Sequence, residues 1–189
     1  SEAGSIFHGC SSLSEVILPE NLTSIPGSTF HGCTSLKSID LPKGLQIIGD
    51  MAFSGTGLES VDIPEGVFSI GVNAFRDCRS LENITLPSTL AVEKRYDTVP
   101  VGSLAFMDIG TDTADGVNVT IRGCPEFSQN SIFRGAEINN LIIESAPNLV
   151  GDIFDSSNIG NIIVSGGSAF KVSSDMAMIG SRIGDDGRM

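Results

Sequence analysis

The chain has 189 residues, and its 23 Asp and Glu against 11 Lys and Arg give a formal net charge of −12. Nucleic acid is excluded as the expected partner, because phosphate binding calls for clustered cations and the basic residues here are scattered, with one local group at Glu93-Lys94-Arg95. No apolar run approaches the roughly 18 residues that cross a bilayer, so no membrane span is expected in this chain.

Along the chain, Phe7, Phe30, Phe53 and Phe75 recur every 22 or 23 residues, each followed by a leucine and then a Val/Ile-x-Leu/Ile-Pro tetrad. Phe7-x5-Leu13-x2-Val16-x-Leu18-Pro19 becomes Phe30-x5-Leu36-x2-Ile39-x-Leu41-Pro42, then Phe53-x4-Leu58-x2-Val61-x-Ile63-Pro64, then Phe75-x5-Leu81-x2-Ile84-x-Leu86-Pro87. A unit this short cannot bury its own apolar face, so its copies are expected to stack into a solenoid around one continuous core. Past residue 90 the pattern frays but persists through Phe106 with Val119 and Ile121, Phe133 with Ile138, Leu141 and Ile143, and Phe154 with Ile159, Ile162 and Val164, which makes seven coils. The expected organisation is one domain over residues 1–189. Its regular repeats occupy 1–87, an insertion 88–105, degenerate repeats 106–164 and a terminal segment 165–189.

Each coil begins its core with a period-2 alternation, the mark of a short strand with one buried face, and the proline that follows ends the strand without costing a central hydrogen bond. Glu20-Asn21, Lys43-Gly44 and Glu65-Gly66 then read as turns. A second apolar pair, Leu22 with Ile25, Leu45 with Ile48 and Val67 with Ile70, leads to the next Phe along the convex side. That side is too short for helix and is expected to be irregular or 3₁₀. The chain opens at Ser1 in mid-repeat without a polar capping unit or a signal peptide, so a trimmed or processed chain is expected, as a monomer or weakly self-associating through the uncapped end.

These residues resemble the BspA-like leucine-rich repeats, whose pattern is similar to Ile-x4-Phe-x2-Cys-x2-Leu-x2-Ile-x-Leu-Pro and is matched by Ile25 through Pro42. Phe53-Ser54-Gly55-Thr56-Gly57-Leu58 looks like that family's coil one residue shorter. The resemblance covers residues 7–87 closely and 106–164 loosely. It implies an α/β-type leucine-rich-repeat solenoid, a right-handed coil with one short parallel strand per repeat and a mostly irregular or 3₁₀ convex side. It also implies a secreted or cell-surface protein engaged in adhesion to proteins of a host or neighbouring cell, without catalysis.

Cys10, Cys33 and Cys78 each fall three residues after a repeat Phe, while Cys124 falls elsewhere. A column of small inward side chains is expected, with a Cys10–Cys33 disulfide as the rival reading, since neighbouring coils bring equivalent residues to about 4.8 Å while parallel side-chain vectors oppose the disulfide torsion. His8, Cys10, His31 and Cys33 supply the ligand types of a zinc site. The His position continues as Ser54, Arg76, Met107, Arg134 and Asp155, however, so no metal and no cofactor are expected. Catalytic motifs are missing as well: there is no Gly-x-Ser-x-Gly, no Gly-x4-Gly-Lys-Ser/Thr and no His-Glu-x2-His, so the reading is not an enzyme.

Two segments break the period. Leu86 to Phe106 takes 20 residues instead of 12 and carries Tyr96, and Phe106 to Val119 takes 13 instead of 9 and carries Asp108, Asp112 and Asp115 without calcium-loop spacing. Both are expected to be loops, and insertions in repeat proteins often lie on a binding face. The sequons at Asn21, Asn83 and Asn118 are read as accidental.

Function is therefore expected on the strand's outward, concave face. Its two columns run Glu15, Ser38, Ser60, Asn83, Asn118, Asn140, Asn161 and Ile17, Asp40, Asp62, Thr85, Thr120, Ile142, Ile163. The expected binding residues are Ser38, Asp40, Ser60, Asp62, Asn83, Thr85, Asn118 and Thr120, with Asp40 and Asp62 as an uncompensated acidic pair. Two uses compete: a protein-binding face, and a glycan- or wall-binding face. With no Trp and one Tyr to make sugar platforms, protein binding is preferred. A stacked Asn ladder would also stabilise the sheet without any ligand.

Overall fold

The computed structural model describes residues 5–91, 101–122, 131–144 and 153–164. The basic group at 93–95, Tyr96, Cys124 and the terminal segment 165–189 lie outside the described residues. In chain order the strands are β1 (Ser24–Ile25), β2 (Ile47–Ile48), β3 (Ser60–Asp62), β4 (Ser69–Ile70), β5 (Asn83–Leu86), β6 (Val117–Ile121), β7 (Glu137–Ile143) and β8 (Asn158–Val164). They form two parallel ladders, a five-stranded sheet in the order β3-β5-β6-β7-β8 and a three-stranded one in the order β1-β2-β4. The result is a parallel-strand solenoid that contains no α-helix among the described residues and one short 3₁₀ helix at Ser88–Ala91.

The main sheet lies where the period-2 alternation put it, from the third coil onward. Val61, Ile84, Val119 and Leu141 point inward and are buried, while the residues between them face out. On β8, the last described strand, Ile159 is buried, but Ile162 and Val164, expected to point inward, are exposed because no described coil covers them. In the first two coils the expected strands at 16–18 and 39–41 are not formed. In the first coil the inward Leu13, Val16 and Leu18 are only partly buried, whereas in the second Leu36 and Ile39 are buried and Leu41 partly so, and between coils two and three the backbone joins through Glu59 N–H to Lys37 O at 2.9 Å. Apolar contact thus holds these segments in place without a full ladder.

The side expected to be irregular carries the second ladder. Ile25, Ile48, Ile70 and Val101 are all buried and pair coil over coil, the last through an isolated bridge from Ile70. β-Branched residues fit such a pleated, half-buried surface. The ladder is two residues wide because the chain then bends at Pro26, Gly49, Gly71 and Gly102. At Gly71 a Cβ would stand 2.4 Å from the backbone N of Asp50 and 2.6 Å from the carbonyl C of Gly49, so only glycine lets the coils approach this closely.

Phe7, Phe30, Phe53, Phe75, Phe106, Phe133 and Phe154 stack face to face in chain order, with centroids 5.1–5.6 Å apart and rings within 16° of parallel. The backbone carries them in a repeated left-handed bracket. The residue two before the Phe has positive φ at Ser5, Ser28, Met51, Asn73, Leu104 and Ser131, and the residue two after it has positive φ at Gly9, Gly32, Gly55, Asp77, Asp108, Gly135 and Ser156. This accounts for Phe-x-Gly in four coils and Phe-x-Asp in two, since Gly and Asp tolerate that region best. Each bracketed Phe N–H then bonds to the next coil, for example Phe30 to Ala52 O, Phe53 to Ala74 O and Phe75 to Ala105 O, all at 2.8 Å.

Candidate functional site

The five-stranded sheet builds the outward columns in register. Ser60, Asn83, Asn118, Asn140 and Asn161 are paired in succession, as are Asp62, Thr85, Thr120, Ile142 and Ile163. Ser38 and Asp40 are exposed in the second coil, outside the paired strands. The second column is polar in its middle and apolar at both ends, where Ile17 is 88% exposed and Ile163 47%.

The asparagines satisfy one another. Asn118 Nδ2 donates to Asn83 Oδ1 at 3.0 Å, Asn140 Nδ2 to Asn118 Oδ1 at 2.7 Å and Asn161 Nδ2 to Asn140 Oδ1 at 3.1 Å. Asn118 and Asn140 each accept one bond and donate one within the ladder, so Asn83 and Asn118 stiffen the floor of the face. Beside them Lys37 Nζ meets Glu59 at 2.8 Å, and this exposed contact raises the lysine's pKa.

The acidic pair is not bare. Arg122 Nη1 reaches Asp62 Oδ1 at 3.5 Å from just beyond β6, which corrects the expectation of two uncompensated carboxylates. Asp62 is largely solvated and Arg122 partly so, and the pair therefore sets charge pattern more than stability. Asp40 keeps no ion pair among the described residues. Sequence reading missed Arg122 because the insertion before β6 hides its alignment with Pro87, the residue that follows the strand in the fourth coil.

Cys10, Cys33 and Cys78 are free thiols. Cys33 Sγ donates to Phe7 O at 3.1 Å and Cys78 Sγ to Phe53 O at 3.2 Å, so each thiol caps the carbonyl of an earlier repeat Phe. Thr56 takes the position between them in the third coil, 3.3 Å from Cys78 Sγ. Burial pushes the Cys78 thiol up to about 11 and raises that of Cys33, which makes both poor nucleophiles. Cys10, expected in the same inward column, is exposed, because no described coil covers the outer side of Phe7. His8 and His31 stack at 4.6 Å, and burial followed by the charge of His8 lowers the pKa of His31. Among the described residues no three His, Cys, Asp or Glu are grouped so as to hold a metal ion, and no helix is long and apolar enough to cross a membrane.

Stacked coils with a parallel sheet, an inward leucine and a Phe spine define a leucine-rich-repeat protein. Residues 3–96 match the model of the BspA type leucine rich repeat region in six copies, and that segment is of this family. Among solved structures, a leucine rich cell surface protein from Faecalibacterium prausnitzii A2-165 is similar at 21% identity and a TM-score of 0.43, with 86% of this chain covering 62% of that one. A leucine-rich repeat protein from Bacteroides ovatus ATCC 8483 is similar at 21% identity and a TM-score of 0.41, with 84% covering 56%. This chain thus spans less than two thirds of the length of either. No curated protein matches it.

Proposed function

We propose that the chain is a non-catalytic binding module of a secreted or cell-surface protein, and that it engages another protein, in adhesion, through the outward face of the five-stranded sheet. Leucine-rich repeats are typically protein-binding modules, and the observation that carries the reading is the in-register face itself. The hydrogen-bonded Asn ladder fixes its floor, and the neighbouring column offers Asp40, Asp62 with Arg122, Thr85 and Thr120 flanked by apolar ends. Such a rigid face loses little entropy on binding, which favours affinity. Binding residues on it are Ser38, Asp40, Ser60, Asp62, Thr85 and Thr120, with Asn83 and Asn118 as their support. A glycan- or wall-binding use of the same polar face is the alternative.

The test is parallel capture on arrays of host and bacterial surface proteins and on a glycan array, with Thr85→Arg as the blocking variant. Thr85 is only partly exposed in the centre of the face, and an arginine there obstructs docking without touching the core. A protein signal lost in the variant at unchanged melting temperature supports the proposal. A signal on glycans alone transfers it to the alternative, and a protein signal equal in both forms overturns it.

A further inference from the structure

Three departures from the repeat meet in one place. The insertion after Phe106 adds the turn at 111–116. β7 bulges against β6, since Val117 pairs with Ile138 but Asn118 with Asn140, which leaves Asn139 as the extra residue. Alongside it β8 carries Gly160, where a Cβ would lie 2.8 Å from Asn139 O. Together they frame an open groove of about 460 Å³, within the size range of small-ligand sites. It lies in coils five to seven, whereas Asp40 and Asp62 stand in coils two and three.

The groove's polar side chains are Thr111, Thr113, Asp115, Glu137, Asn139 and Asn158. Their hydrogen bonds leave mostly acceptors. Thr113 Oγ1 donates to Gly110 O at 2.8 Å and Thr111 Oγ1 to Asp108 O at 3.4 Å, so both hydroxyls have only lone pairs left to offer. Asn158 Nδ2 donates to Glu137 Oε2 at 3.1 Å, and its carbonyl oxygen remains. The carboxylates of Glu137 and Asp115 can only accept. Among the described residues no lysine or arginine lines the groove. Arg79 is bonded to Asp77 at 2.9 Å with Asp112 and Asp108 as its further charges, so Asp115 has no ion-pair partner among the described residues.

From this acceptor-rich, anionic lining we infer that the groove takes the guanidinium or ammonium side chain of a basic peptide segment. Such groups are donors without acceptors, the complement of what the lining offers. A sugar needs several donors for its own oxygens, and the groove's uncommitted side-chain donors are the amide of Asn139 and the second N–H of Asn158. A calcium ion takes about six to eight oxygens at close range, which two separate carboxylates do not assemble.

The probe is a fluorescent tri-arginine peptide, compared with its uncharged tri-citrulline analogue by anisotropy, with methyl glucoside and calcium chloride as competitors. The variants are Asp115→Asn with Glu137→Gln in the groove, and Glu20→Gln with Glu82→Gln, two exposed carboxylates outside both faces, as the control for diffuse negative charge. Expected are saturable binding of tri-arginine, at least tenfold weaker binding of tri-citrulline, and at least a tenfold loss in the groove variant. The melting temperature should be unchanged in that variant and the affinity unchanged in the control variant. Absence of tri-arginine binding, equal binding of tri-citrulline, equal losses in the two variants, or displacement by the sugar or by calcium would each overturn the inference. The sheet face is scored separately by Thr85→Arg, so either proposal can fail alone.

Discussion

Gly55 isolates the cost of the left-handed bracket around each Phe. It has φ +66°, and the nearest atoms to a Cβ there are 3.9 and 4.0 Å away, so Gly55→Ala meets a conformational penalty and little steric one. We expect a loss of about 1 kcal/mol in chemical denaturation, and a smaller loss for Gly55→Asp, because Asp77 and Asp108 already hold that place in later coils. Equal costs for the two would show that the bracket does not select residue type. The thiols give a second test: Cys10 should be alkylated in the native state and Cys33 and Cys78 only in denaturant, as read by peptide mass mapping. At this scale the inward Phe and Leu were legible because they recur at fixed spacing. The residue two before the Phe was not, since Ser, Met, Asn and Leu share a backbone conformation there that no common side chain signals.

The second ladder depends on close approach, and one methyl group tests it. A Cβ on Gly71 would collide with backbone atoms of Asp50 and Gly49, which cannot rotate away, so Gly71→Ala must push two coils apart. We expect about 3 kcal/mol of destabilisation, as for overpacking against a rigid wall, measured as a fall in denaturation midpoint. A cost no larger than that of Gly55→Ala would mean the coils slide freely. Phe53→Ala probes the opposite defect. Its ring is fully buried between Phe30 at 5.4 Å and Phe75 at 5.1 Å, and truncation should cost about 3–5 kcal/mol. An unchanged melting temperature would refute the spine. Alternation marked β3 and β5 to β8, but the same alternation, closed by Pro19 and Pro42, also stands at 16–18 and 39–41, where no strand forms, so the pattern records which face is inward and not whether the ladder closes. The second ladder was not legible, because Ile25, Ile48 and Ile70 each contribute one inward residue per coil, and a two-residue strand shows no period.

Across the whole molecule, acid acts on two opposed quantities. The net charge of −12 means that protonating carboxylates relieves self-repulsion, a diffuse effect that favours the folded chain as pH falls. The stacked imidazoles act the other way. His31 titrates lower when folded than the usual 6.5 of the free side chain, first because it is partly buried and second because His8 stands against it. Below pH 6.5 the unfolded chain therefore binds the proton more readily than the folded one, so the stability His31 contributes is complete above that pH and is lost as pH falls through its lowered value. His31→Ser separates the terms, since the next coil carries Ser54 in that position and the carboxylates are untouched. The melting temperature of the parent minus that of the variant should be constant above pH 7 and should fall between pH 6.5 and 5. A difference that stays flat, or that rises toward acid, would show that the stack does not resist protonation and that carboxylates alone set the acid response.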